Sequence, residues 1–140
     1  MSSRKPISHG VLTNSGRPRI SPDTRTVFEI AKDHRLKTAA FYSWEQLRNL
    51  NAPGVLDQSV MINTLEIENG DLLIGEVAGD HILRFMPDLS FIYLEGADMA
   101  GHAHGWMSPE YLQALSVADQ SIGTLVDRLT KQYCWNVVVT

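Results

Sequence analysis

The order of elements along the chain predicts an α/β fold, a parallel sheet with helices on its faces. Helix-like and strand-like stretches alternate from about residue 21 to the last residue, and that alternation is the pattern of a sheet covered by helices. The strand candidates are continuous apolar runs without polar alternation, as strands buried on both faces are. With 140 residues, 44% of them hydrophobic and 20% charged, there is enough material for one domain with a sizeable core.

The first twenty residues are rich in Ser, Gly, Pro, Arg and Asn and read as loop. Ser21-Pro22-Asp23 reads as a helix start, with a capping hydroxyl, a proline in the first turn and an early acid. Val27, Phe28, Ile30 and Ala31 form its apolar face, and it is expected to end near Arg35. Thr38 to Tyr42 is a short buried strand, Trp44 to Leu50 a short helix ended by Pro53-Gly54, and Val60-Met61-Ile62 a second strand. Asn69-Gly70-Asp71 opens a long helix with Leu73, Val77, Ile82 and Phe85 at helical spacing, stopped by Pro87-Asp88. Leu89 to Leu94 is the best-defined strand, followed by a polar, glycine-rich loop from Glu95 to Met107. Ser108-Pro109-Glu110 starts a third helix whose core face is Tyr111, Leu115, Ile122, Leu125 and Leu129, and Trp135 to Thr140 is a final strand.

Composition narrows the function. The net charge of -4 is not that of a groove for nucleic-acid backbones, so a chain handling phosphates would do so through metal ions. Cys134 is the only cysteine; it excludes an internal disulfide and reads as a buried thiol at a strand edge. No apolar run reaches membrane-spanning length. Gly-x-Ser-x-Gly, Gly-x-x-x-x-Gly-Lys and Gly-x-Gly-x-x-Gly motifs are all absent.

Ligands of parallel sheets bind at the carboxyl ends of strands, which directs attention to the loop after Leu94. There Asp98 and His102 stand four residues apart. A carboxylate and an imidazole are both ligands for a zinc-like ion, and on a helical turn that spacing puts them on one face. Glycines 96, 101 and 105 would let the backbone wrap closely. On these residues alone, the segment reads equally as a metal site or as a capped, solvated loop. His104 reads as an exposed loop histidine, and Glu95 as a strand-end carboxylate facing water. His34 and His81 read as surface residues of helices. Asn14, in His9-Gly10-Val11-Leu12-Thr13-Asn14, is either a turn residue or an amide donor to an anionic oxygen.

Taken together, the two loops resemble the nucleotide pyrophosphatase/phosphodiesterase (type I phosphodiesterase) family of the alkaline phosphatase superfamily. His9-Gly10-Val11-Leu12-Thr13-Asn14 is similar to a family segment that follows the nucleophile helix, and Asp98-Met99-Ala100-Gly101-His102-Ala103-His104-Gly105 with Ser108-Pro109-Glu110-Tyr111 is similar to a later site loop. Ala39-Ala40-Phe41-Tyr42-Ser43-Trp44 looks like bacterial members, and the resemblance runs from about His9 to Thr140. It implies a partial alkaline-phosphatase-like parallel sheet flanked by helices, over one incomplete domain, 1–140. It implies hydrolysis of phosphodiester or pyrophosphate bonds in small nucleotide-type substrates, with two zinc ions in the intact family fold. Asp98 and His102 match two ligands of one ion, and Asn14 matches an asparagine that holds a phosphate oxygen. In the family, a Thr or Ser attacks phosphorus to give a covalent intermediate that water then releases.

The departures shape the rest of the expectation. The family's nucleophile and first metal aspartate precede the His-Gly-Val segment, where this chain has only Met1 to Ser8; its Ser-Asp-His-Gly motif would follow Val-Val-Val-Thr, where this chain ends at Thr140. The chain is therefore expected to be an internal fragment, nearly inactive alone, with weak or absent zinc binding and a tendency to self-associate through exposed sheet edges. Two alternatives are another hydrolase of the superfamily, such as a phosphonoacetate hydrolase or phosphomonoesterase, and a non-catalytic binding module.

Overall fold

The computed structural model describes residues 23–50, 52–131 and 133–140, and ahead of them Lys5, His9, Val11, Thr13, Ile20 and Ser21. Helix α1 spans Val27–Asp33. It begins after the expected Ser21-Pro22-Asp23 start, of which Pro22 lies outside the described residues. The reason is a capping box: Glu29 N–H donates to Thr26 Oγ1 (3.2 Å) and Thr26 N–H to Glu29 Oε2 (2.6 Å). Two otherwise orphaned donors are satisfied there, which the upstream serine cannot match. Arg35, at φ 60, turns the chain out of the helix.

Strand β1 (Thr38–Tyr42) is flanked by β2 (Gln58–Met61) and β3 (Leu89–Ile92), giving a three-stranded sheet in the order β2-β1-β3, parallel throughout. All five residues of β1 are buried. Ala39 and Phe41 point to one face, against α2 (Gly70–Phe85) and α4 (Pro109–Thr130) through Ile74, Ala78, Ile82, Leu125 and Leu129. Ala40 and Tyr42 point to the other, against Phe28 of α1 and Leu47 of the 3-10 helix Glu45–Leu50. The expected α/β architecture is present, with a core on each face of the central strand.

At the amino edge of the sheet, Asp57 ties three segments together. It accepts from Lys32 Nζ (2.6 and 2.7 Å) and from Thr38 N–H (2.8 Å), and these contacts, Lys32 first, hold its carboxyl below the usual range. The carboxyl edge is left for the site.

Three expectations are corrected. The buried face of α2 is Ile74, Gly75, Ala78, Gly79 and Ile82, whereas Phe85 is exposed. The helix turns its glycines inward because α4 packs there: a Cβ at Gly75 would collide with Ser121 Oγ. His81 is half-buried, its ring 5.7 Å from that of Phe41, and not a surface residue. In α4, Leu125 and Leu129 are buried as expected but Leu115 is exposed; the first turns of α4 pack on the short helix α3 (Gly96–His104), too narrow to cover that flank.

The last segment departs furthest. Residues 135–140 have no strand partner, and Val138 is 84% exposed. Only Trp135 packs against the core. A β-rich sequence becomes a strand only by pairing with a neighbour's edge, and residues 135–140 make no such pairing. Cys134 is consequently exposed, not buried at a strand edge. Among the described residues no helix is long and apolar enough to cross a membrane.

The α2–α4 contact yields a stability prediction. Gly75→Ala is expected to cost about 1–3 kcal/mol, the usual penalty of overpacking, read as a lower urea midpoint. Adding Ser121→Ala should recover part of it. An unchanged midpoint for Gly75→Ala would show that the helices do not approach this closely.

Candidate active site

The segment after β3, expected as a loop, is helix α3 (Gly96–His104). Its own cap residue, Glu95, gives no side-chain cap bond. The cap comes from another helix: Asp71, in the first turn of α2, accepts from Glu95 N–H (3.0 Å) and from Gly96 N–H (3.3 and 3.2 Å). An anion at a helix amino terminus satisfies orphaned donors and opposes the positive end of the dipole. Gly96 is required for this approach, because a Cβ there would stand 2.7 Å from Asp71 Oδ2. Asp71 is 4% exposed, and burial raises its carboxyl above the ordinary value against the opposing pull of the two N–H donors. Its backbone carbonyl also accepts from Ser121 Oγ of α4 (2.7 Å).

On this anchored helix Asp98 and His102 do share a face. His102 Nε2 lies 3.7 Å from Asp98 Oδ1, and the two side chains are 72% and 54% exposed respectively. Two zinc bonds of about 2 Å at the tetrahedral angle put their donors roughly 3.3 Å apart, so a side-chain adjustment of a few tenths of an ångström would bring both donors to one ion. No group of three or more His, Cys, Asp or Glu placed to hold a metal occurs among the described residues. His104 is exposed, as expected. Asn14 lies outside the described residues.

Glu95 does not face water. It is 9% exposed and lines a cavity of about 630 Å³ with Thr64, Leu65, Asp71 and Met99. Neither Asp98 nor His102 lines that cavity; Met99 does, one residue and about 100° further round the helix than Asp98. The Asp98/His102 pair and the cavity therefore occupy different flanks of α3. At the end of β3, burial first and then the Glu95, Asp98 and Asp71 carboxylates push the Tyr93 phenol up to about 12. The carboxyl edge of the sheet is thus strongly anionic.

Sequence reasoning missed Asp71, Tyr93 and Trp106. Asp71 looks like any acid in a first helical turn, and nothing local connects it to Glu95, 24 residues away. Trp106 sits in a turn and meets His102 only through the fold, with ring centroids 5.5 Å apart.

A model of the type I phosphodiesterase / nucleotide pyrophosphatase family matches residues 18–140. The chain is 36% identical over 52 residues to venom phosphodiesterases 1 and 2 of Crotalus adamanteus and to venom phosphodiesterase CdcPDE of Crotalus durissus collilineatus. In each case the match covers 37% of this chain and 6% of the relative's length.

The anchoring role of Asp71 has a pH signature. A carboxyl raised in the folded state favours folding below its unfolded value of 3.8 and loses that contribution as pH rises through its folded value. Asp71→Asn keeps an acceptor oxygen without the buried charge. Its stability relative to the native chain is therefore expected to improve as pH rises from about 4 to 7, in urea titrations across that range. A pH-independent difference would show that the fold leaves the Asp71 carboxyl at its ordinary value. Asp71→Ala removes the acceptor and should lower helicity at every pH.

Proposed function

The chain belongs to the type I phosphodiesterase / nucleotide pyrophosphatase family, and we propose that α3 supplies part of a metal-assisted site that hydrolyses phosphodiester or pyrophosphate bonds in small nucleotide-type substrates. The observation that carries the proposal is the pairing of Asp98 and His102 within reach of one ion, just beyond the carboxyl end of a parallel strand. Ligand sites in such sheets lie at that end.

Zinc is the proposed metal, on the chemistry of the donors: one carboxylate oxygen and one imidazole nitrogen. When bound, such an ion supplies positive charge against the phosphoryl oxygens. The chain's own residues hold and orient. Asp98 contributes the anionic donor and His102 the neutral one, and both ride on a helix whose first turn is fixed by Asp71. Asn14 is proposed to donate its side-chain amide to a non-bridging phosphate oxygen. The surrounding carboxylates Asp71, Glu95 and Asp98 would repel a phosphodiester, so cations are needed for an anionic substrate to settle there. Two protein donors are fewer than the three usual in catalytic zinc sites. The chain by itself is therefore expected to bind zinc weakly and to turn over little substrate.

Calorimetric titration of the 140-residue chain with zinc tests this. Asp98→Ala and His102→Ala should each weaken binding by at least the roughly 10- to 100-fold that loss of an outer partner costs a metal site. Hydrolysis of bis(p-nitrophenyl) phosphate by the chain alone should stay near background. Zinc uptake that neither substitution disturbs would refute the ligand assignment.

Self-association is part of the same proposal. Leu89 and Tyr93 N–H groups donate to Lys37 and Phe41 carbonyls, so the alternate N–H groups of β3 face its outer edge. Val137, Val138 and Val139 are 48%, 84% and 65% exposed, and such a segment suits an open edge. Sedimentation should show concentration-dependent association that Val138→Glu reduces; a concentration-independent monomer would refute it.

A further inference from the structure

Trp106 lies where it governs the orientation of His102. The chain leaves α3 through Gly105 at φ 95 and Met107 at φ 66, two residues at positive φ on either side of the tryptophan. This double reversal folds the indole back onto the helix it has just left. The ring rests on the backbone at Gly101, where a Cβ would collide with three of its ring carbons. The indole meets the His102 ring edge-to-face, at 5.5 Å and 65°, and Tyr111 likewise, at 5.5 Å and 77°. Tyr111 is itself fixed by the start of α4, where its N–H donates to the Ser108 hydroxyl (3.1 Å).

The His102 side chain is 72% exposed, and its ion-pair partner among the described residues, Asp98, is itself 54% exposed. An exposed side chain of this kind samples several rotamers unless packing selects one. The aromatic contact with Trp106 is the packing available to it.

We propose that Trp106 is a positioning residue: clamped between Tyr111 and the Gly101 backbone, it holds the His102 imidazole in the rotamer that turns Nε2 toward Asp98, and so readies the pair for a divalent ion. The assignment rests on the reading of Asp98 and His102 as metal ligands. Trp106 touches no reacting atom; it acts through His102. Being 58% exposed and outside both cores, it can be replaced without loss of the fold.

The test uses the 140-residue chain, zinc alone as the probe and two readouts. The first is zinc affinity, by competition with a chromophoric chelator. The second is the His102 ring-proton resonance in metal-free protein, which feels the ring current of a neighbouring indole. Trp106→Ala should weaken zinc binding about two- to tenfold, the effect of freeing one side chain, and shift the His102 resonance toward its position in a flexible peptide. Trp106→Phe keeps an edge-to-face ring and should restore most of the affinity. Gly101→Ala displaces the indole without altering it and should reproduce Trp106→Ala, with helicity checked by circular dichroism. If the native chain binds through Asp98 and His102 and Trp106→Ala binds as tightly with an unmoved His102 resonance, the metal reading stands and the positioning role falls. If the native chain takes up no zinc, both fall.

Discussion

The bond from which the site is built is the one between the Asp71 carboxylate and the backbone N–H groups of Glu95 and Gly96. A nine-residue helix with glycines at its first and sixth positions has little intrinsic tendency to form. It forms here because an acid from another helix takes up its orphaned amino-terminal donors. That acid is held in turn by α4, through the Ser121 hydroxyl on its carbonyl. One residue thus couples α2, α3 and α4 at the carboxyl edge of the sheet, and the direction in which Asp98 and His102 project follows from that coupling.

The rest of the fold makes this junction possible by close approach. Gly75 and Gly79 allow α4 to lie against α2, so that Ser121 and Leu125 sit where larger α2 residues would have kept them away. The sheet divides its labour between its two ends. At the amino edge, Asp57 has Lys32 and Thr38 as partners and its charge is compensated. At the carboxyl edge, Asp71, Glu95 and Asp98 crowd around Tyr93 with no Lys or Arg ion-pair partner among the described residues. It is this anionic edge, with an imidazole beside one of its carboxylates, that the proposed metal-assisted site uses.

Aromatic residues gather at the carboxyl end of β3 and beside His102. The Trp44 and Tyr93 rings lie 6.3 Å apart at a tilt, and Trp106 meets both His102 and Tyr111. Rings of this size lose few rotatable bonds when packed and restrict neighbouring side chains effectively. The nearby cavity is a separate feature, walled by Leu65, Met99 and Val117 and floored by the buried acids.

The sequence by itself determined the alternating α/β order, the boundaries of β1, the start of α4 at its Ser108 cap and the Asp98/His102 spacing. Each is a local property: periodicity, capping chemistry and residue spacing are written within a few residues of one another. What the fold decided is non-local. Glu95 became buried and the glycine-rich segment became a helix because Asp71 reaches across 24 and 25 residues to its first turn. The inward face of α2 was set by the approach of α4, which selected glycines over the larger apolar residues that periodicity favours. Residues 135–140 carry every local mark of a strand and remain outside the sheet. A strand is completed by its neighbour's hydrogen bonds, and whether such a neighbour stands alongside is a property of the tertiary structure alone.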